Sequence, residues 1–318
     1  MKYSVLGCGR WGSFIAWVLS KKNQVALYGR KGGKSYSVLE ETNKNEYITL
    51  NDNISLTSDL EKALTFSNTV FISVSSQELR SFARKILQFD ISGKVFVLCM
   101  KGIEVETGYR LSEVLIQEGI SKEKIAVWVG PGHIQAFVSG KPNCMVIDGY
   151  DKELVYRLAN ELRSEVIRFY YGEDIIGSEI GAAAKNVFGI AAGMLDGGGY
   201  ETLKGVLMAR GAREVARLIK KMGGNELSAY GLCHLGDYET TLFSPYSHNR
   251  MFGESFVKNE KFSKLAEGVA TAKAMRLLGQ KYGEELPITN AVYSILYENK
   301  EPMTVFLELF SRSTRHEF

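Results

Sequence analysis

Six residues near the start of the chain, Gly7-Cys8-Gly9-Arg10-Trp11-Gly12, restrict its fold more than any others. A short strand-like run over residues 2–6 precedes them, and an apolar helical stretch, Phe14–Leu19, follows. In this setting each glycine has a separate reason to be there. Gly7 permits a tight turn, Gly9 lets the backbone approach a pyrophosphate, and Gly12 lets the helix pack on the strand. The helix N-terminus then faces the phosphates. The G-x-G-x-x-G pattern alone is a weak signal, and its strand–turn–helix context supplies the weight. The plainer alternative is a glycine turn with no ligand.

The first half of the chain continues in the same alternation. Apolar runs at 24–28, 54–57, 70–74, 95–100, 125–129, 143–147 and 166–170 predict strands. Helical patterns separate several of them, which predicts a mostly parallel, doubly wound sheet. After Tyr170 the pattern changes to long helices: Ile180–Leu195, Leu203–Met222, Phe262–Lys281 and Pro302–Phe310. The expected architecture is an α/β Rossmann domain over residues 1–175, followed by an all-α domain over 176–318.

Composition excludes several classes. A net charge of +3, with basic residues scattered, gives no footprint for nucleic acid. No apolar run reaches the ~18 residues of a membrane span. Cys8, Cys99, Cys144 and Cys233 lie far apart and form no metal-ligand spacing, which suits reduced thiols in a cytoplasmic protein. No metal is expected, and no secretory leader is read before the first strand.

The second strand ends at Tyr28, and Gly29-Arg30-Lys31 follows. A site for NAD would place an acid near here for the ribose 2′-hydroxyl, yet none occurs before Glu40. Arg30, Lys31 and Lys34 suit the 2′-phosphate of NADPH instead, with NADH as the lesser expectation. A solvated basic loop is the alternative. Lys101 falls at the carboxyl end of a strand, where such sheets hold ligands.

Between Glu179 and Asp196 the sequence is small and apolar, and Lys185 is its only charge. Gly181, Gly189 and Gly193 lie at i−4, i+4 and i+8 from Lys185, on one helical face. Each weakens the helix by about 1 kcal/mol relative to alanine. One reading is close helix packing, with the Lys185 head reaching solvent. The favoured reading is a cavity with the Lys185 amine pointing into it, ready to exchange a proton. Two later clusters stand out: Gly231–Asp237, with an acid in an apolar setting, and the polar turn-like stretch Ser244–Gly253. Asp237 alone reads as a helix cap, and Asn249 with Arg250 as a surface loop.

Together these segments resemble the bacterial soluble type of NAD(P)-dependent glycerol-3-phosphate dehydrogenase. The resemblance covers Gly7–Gly12, Lys101–Glu104, Gly130-Pro131, Glu179–Gly193, Ala209–Gly211, Gly231–Asp237, Asn249–Gly253, Pro287–Thr289 and Ala291–Tyr293. It implies reduction of dihydroxyacetone phosphate to sn-glycerol 3-phosphate, a precursor of glycerophospholipids. Lys185 matches the family's catalytic proton donor and acceptor, with Asp237 and Lys101 beside it in the catalytic set. Lys101, Gly130, Gly132, Lys185, Asp237, Ser247, His248 and Asn249 match substrate-binding positions. Gly7, Gly9, Arg10, Trp11, Gly12, Arg30, Lys101, Ile134, His248 and Glu285 match cofactor-binding positions.

The chain departs from the family pattern at three places. Gly132 stands where Ser or Thr follows Gly-Pro. His248 stands where an arginine meets phosphate and cofactor, and Glu201-Thr202 replaces an Asp-Asn pair. A histidine is neutral much of the time near pH 7 and offers no bidentate fork. The departures bear on phosphate recognition, so two further readings stand beside the first. One is the same chemistry on another small hydroxy or keto compound. The other is a nucleotide-binding paralogue with weak turnover, against which Lys185 and Asp237 both argue. The expected partner is a small phosphorylated substrate, and a homodimer is compatible with the sequence.

Overall fold

The computed structural model describes every residue except Thr314, Arg315 and Phe318. The chain divides into two compact units. The first comprises Met1–Lys101 and Tyr109–Glu179, and the second Gly102–Gly108 and Ile180–Phe318.

The first unit is built on β1 (Lys2–Leu6), β2 (Gln24–Tyr28), β3 (Ile54–Thr57), β4 (Thr69–Ile72), β5 (Val95–Leu98), β6 (Ile125–Val129), β7 (Asn143–Gly149) and β8 (Ile167–Tyr171). They form one sheet in the order β3-β2-β1-β4-β5-β6-β7-β8. All eight pair in parallel with their neighbours except β6 and β7. Its helices are α1 (Arg10–Ser20), α2 (Lys34–Thr42), α3 (Leu60–Phe66), α4 (Leu79–Ile86), α5 (Leu111–Gln117), α6 (Ile134–Val138) and α7 (Lys152–Glu161).

Strands β4, β5 and β6 are buried along their whole length, which explains why they read as continuous apolar runs. Across one face the rings of Tyr3, Phe71, Trp128 and Phe169 meet edge to face in sequence, 4.9–6.0 Å apart. These rings tie β1, β4, β6 and β8 together by contacts stronger than apolar area alone provides. The chain order reverses at β1, which pairs with β2 on one side and β4 on the other. That crevice, at the carboxyl ends of the strands, is where this architecture binds ligands.

The second unit is helical: α8 (Ile175–Gly197), which begins in the first unit, then α9 (Lys204–Lys221), α10 (His248–Val257), α11 (Glu267–Tyr282), α12 (Pro287–Glu298) and α13 (Pro302–Glu308). Helix α8 is its core. Ile180, Ala182, Ala183, Ala184, Val187, Phe188, Ile190, Ala191, Ala192 and Met194 are all fully buried. A helix apolar all round belongs inside a protein. Among the described residues no helix is long and apolar enough to cross a membrane.

Three helices depart from the sequence reading. Residues 248–257, expected as part of a polar turn, form α10, because Ser247 caps it and accepts the Arg250 N–H at 3.3 Å. Residues 34–42, in a polar stretch with no clear pattern, form α2. The expected helix from Phe262 begins only at Glu267.

Helix α12 has an unusual start. Leu286 at its N-cap offers no side-chain acceptor, and the α9 carboxylate of Glu214 supplies one. Glu214 accepts from Ile288 N at 2.8 Å, Thr289 N at 3.0 Å and Thr289 Oγ1 at 2.7 Å. Burial nevertheless pushes its carboxyl up to about 7.

Candidate active site

The glycine loop of the first unit has the shape its sequence implies. Gly7 sits at φ +114, and a Cβ there would lie 2.2 Å from the Ser73 carbonyl oxygen. A Cβ on Gly12 would lie 1.8 Å from the Gly7 carbonyl oxygen. Around Gly9, by contrast, a Cβ would meet nothing within 4 Å. Gly9 is the N-cap of α1, with no side-chain cap and no acid in the first turn. The start of α1 thus has no capping side chain and no acid in its first turn to offset the positive end of the helix, which fits a pyrophosphate. Arg10 reaches Gln135 Oε1 at 3.5 Å and lies over the Tyr47 ring at 5.2 Å. Trp11 packs its ring on Phe14 at 5.1 Å. Arg30, Lys31 and Lys34 are exposed, just past the end of β2.

Lys101 and Gly130 meet directly, since Lys101 Nζ donates to the Gly130 carbonyl at 2.7 Å. Gly130 adopts φ +126, and a Cβ there would press on the Met145 backbone at 3.0 Å. Gly132 has a different constraint. A Cβ at 132 would stand 2.3 Å from the Phe137 ring, which is itself buried and stacked on Phe14 at 5.2 Å. The hydroxyl residue that the family pattern leads one to expect has no room here. The side chain of Ile134, at the start of α6, is buried in the core.

In the second unit Lys185 and Asp237 come together. Lys185 Nζ lies 2.7 Å from Asp237 Oδ2, and the two side chains are 11% and 0% exposed. Nζ also donates to Thr241 Oγ1 at 2.9 Å, while the Thr240 hydroxyl donates to the other oxygen of Asp237. The ammonium charge is thus compensated at close range inside an apolar setting, where an unpaired charge would be costly. Beside it, Asn249 Nδ2 donates to Asn186 Oδ1 at 3.0 Å, and Asn249 Oδ1 accepts the Gly268 N–H at 2.9 Å.

The glycines around Lys185 are not a cavity. A Cβ on Gly193 would lie 1.9 Å from the Arg250 carbonyl oxygen, and one on Gly189 would lie 2.8 Å from Thr241. Facing them on α10, a Cβ on Gly253 would lie 2.1 Å from the Ile190 carbonyl oxygen. The close-packing account therefore explains Gly189 and Gly193, while Lys185 does not reach for solvent as that account supposed. It turns to Asp237.

The remaining expected residues separate. Ser247 caps α10, and His248 sets its ring edge-on to Phe262 at 6.5 Å. Arg250 is held by Asp196 at 3.2 Å and Glu254 at 2.8 Å, with Lys204 on the same Asp196 at 2.7 Å. Glu285 is exposed, pairs with Arg312 at 2.5 Å and borders a cavity of 820 Å³ walled by Arg210, Arg217 and Phe310. Thr241, Asn186 and Gly268 were missed. Thr241 lies four residues past Asp237, a spacing that could have marked it; Gly268, where a Cβ would lie 2.5 Å from the Asn186 carbonyl oxygen, shows in the sequence only as a glycine near a helix start.

A profile of the NAD-dependent glycerol-3-phosphate dehydrogenase N-terminus matches residues 2–155, and one of its C-terminus matches residues 174–307. The chain belongs to this family. Over 331 residues it is 31% identical to glycerol-3-phosphate dehydrogenase (NAD(P)+) of Pelodictyon phaeoclathratiforme, covering 100% of this chain and 99% of that one. Over 327 residues it is 35% identical to that of Moorella thermoacetica, covering 99% and 97%. The crystal structure of glycerol-3-phosphate dehydrogenase from Coxiella burnetii shares the fold, with a TM-score of 0.88 at 24% identity over 98% and 99% of the two chains. Membership makes the chain a nicotinamide-dependent oxidoreductase, with its Rossmann unit first and its helical unit second.

Proposed function

We propose that the chain reduces dihydroxyacetone phosphate to sn-glycerol 3-phosphate, with NADPH preferred and Lys185 as general acid. The observation that carries this reading is the Lys185–Asp237 pair, 2.7 Å apart in a buried helical core. Its curated relatives bear the name of that activity across their full length. The open backbone at Gly9 and the uncapped α1 N-terminus would hold the pyrophosphate. Arg30, Lys31 and Lys34 would meet the 2′-phosphate of the adenosine ribose.

A bound nicotinamide supplies the hydride that reduces the ketone carbon. As that carbon is reduced, negative charge grows on its oxygen, and a proton must arrive there. Lys185 would give that proton and recover one from solvent. Asp237 and Thr241 would fix the direction of the ammonium, and Asp237 would balance its charge before transfer. Lys101, held on the Gly130 carbonyl, would stabilise charge on the substrate. Asn249 and Ser247 would serve the phosphate end. Arg250, held by Asp196 and Glu254, is left out of that role.

The decisive test is Lys185→Met, which keeps length and removes the proton. Turnover should fall on the order of 10²–10⁴-fold, with NADPH binding by fluorescence titration nearly unchanged. Near-normal turnover would defeat the assignment. A second reading keeps the chemistry and changes the ketone. The Phe137 ring against Gly132 favours it, because no side-chain hydroxyl can stand at that point of the loop. A panel of phosphorylated and unphosphorylated ketones, followed by NADPH oxidation, separates the two.

A further inference from the structure

His234 is wholly buried, yet the mechanism above does not use it. Its Nδ1 lies 2.8 Å from the Gly181 carbonyl oxygen, and its Nε2 lies 2.7 Å from the Tyr238 hydroxyl. The carbonyl can only accept, so Nδ1 carries the hydrogen. Burial holds the imidazole down at about 4, so the ring is neutral near pH 7. Nε2 of a neutral ring protonated at Nδ1 must accept, so the Tyr238 hydroxyl donates to it. The ring is further enclosed by Phe188, edge to face at 5.6 Å.

Two spacings give this contact its meaning. Gly181 and Lys185 lie four residues apart on α8, so they stand one above the other on the same face. His234 and Asp237 lie three apart, joined by the 3₁₀ turn Leu235–Asp237, in which Asp237 N donates to the His234 carbonyl at 3.0 Å. One short turn thus grips α8 at two points a helical turn apart. His234 holds the backbone at Gly181, and Asp237 holds the ammonium at Lys185. Gly181 is glycine for this reason. A Cβ there would come to 3.0 Å from the Cβ of His234 and press the imidazole away from the helix.

The geometry points to His234 as a positioning residue that sets the register between Asp237 and Lys185. The proposal rests on the reading of Lys185 as the proton donor, and extends it to a residue that touches neither substrate nor cofactor. Without the Gly181 contact the turn can slide along α8. Asp237 then loses its fixed place against the amine, although both charges remain.

The test uses the full-length protein with dihydroxyacetone phosphate and NADPH. His234→Leu keeps bulk and removes both hydrogen bonds; His234→Asn keeps a donor where Nδ1 stands. In His234→Leu, kcat should fall on the order of tenfold to a hundredfold, the scale of a misplaced catalytic group, with KM for NADPH nearly unchanged. His234→Asn should recover most of the loss. Independently of turnover, the rate at which Lys185 is acetylated, followed by peptide mass spectrometry, should rise in His234→Leu and return towards normal in His234→Asn. A histidine that serves stability alone would lower Tm in both variants and leave kcat and Lys185 labelling as they were, and that result overturns the proposal. Should His234→Leu fail to fold, the labelling rate and kcat of Tyr238→Phe, which removes only the hydroxyl on Nε2, take its place. Normal turnover in Lys185→Met would instead strike at the proton-donor reading, while the labelling rates would still decide whether His234 sets the pair.

Discussion

Two segments of this chain are rich in glycine, and they use it in opposite ways. At Gly9 the space beside the backbone is empty to 4 Å; at Gly193 it is filled by the Arg250 carbonyl oxygen, 1.9 Å from where a Cβ would be. In the first segment a missing side chain leaves room for a ligand. In the second it lets α8 and α10 touch backbone to backbone, which brings Thr241 and Asn249 in beside Gly189. The lesson is that glycine reports a close approach and is silent about what approaches.

The largest effect should come from filling the second segment. Gly193→Ala places a methyl on main-chain atoms that cannot swing aside, so it should cost more than ~3 kcal/mol, the upper range of ordinary overpacking. Thermal denaturation should show a large drop in Tm or no cooperative transition. A variant as stable as the parent would break the contrast. Gly9→Ala should do the reverse. Stability should change by about 1 kcal/mol or less, while NADPH affinity falls roughly tenfold or more, or about 1.4 kcal/mol. A folded Gly9→Ala protein with unchanged NADPH affinity would show that the loop is only a turn.

Arg30→Ala sharpens the ligand side of the comparison. Loss of one charged hydrogen bond should weaken NADPH on the order of tenfold and leave NADH nearly as before. Equal loss for both cofactors would place Arg30 elsewhere than at the 2′-phosphate.

The pH dependence of stability belongs to the second unit. Glu214 is pushed up to about 7 from 4.5, so the folded state holds its proton more tightly than the unfolded chain. Its contribution therefore declines as pH rises from about 4.5 to about 7. His234 is held down at about 4 from 6.5, so its contribution grows as pH rises through that window and is lost as pH falls. The two slopes oppose each other between about 4.5 and 6.5. Relative to the parent, Glu214→Gln should gain stability with rising pH, and His234→Asn should lose it. Urea denaturation across the window checks both signs, and parallel profiles for all three proteins would remove one or both groups. Cys8, in the first segment, is pushed up to about 11 and titrates outside this range.

Much of the first unit was legible because β4, β5 and β6 are buried on both sides, and continuous apolar runs such as Val95–Leu98 announce that directly. Helix α10 was not, because its N-terminal half carries the polar run His248, Asn249 and Arg250, and the partners Asn186 and Asp196 that help fix it lie on α8, 63 and 54 residues back in the sequence. Lys185 and Asp237 were each visible as oddities of local pattern: one charge in an apolar helix, one acid in an apolar turn. That they are 2.7 Å apart was not, since they lie 52 positions apart along the chain.

Local pattern was enough for the strand–glycine turn–helix start, the run of eight strands, the change to long helices and the family. These follow from short-range periodicity and from backbone conformations that few residues adopt. Packing between distant elements sets which glycines are filled and by what, that Phe137 crowds a side chain at 132, and that Glu214 caps α12 from α9. It also decided that His234 and Asp237 grip one face of α8. The physical reason is the same in every case. These contacts join groups far apart along the chain, and their distances are set by how whole elements pack, which no local pattern records.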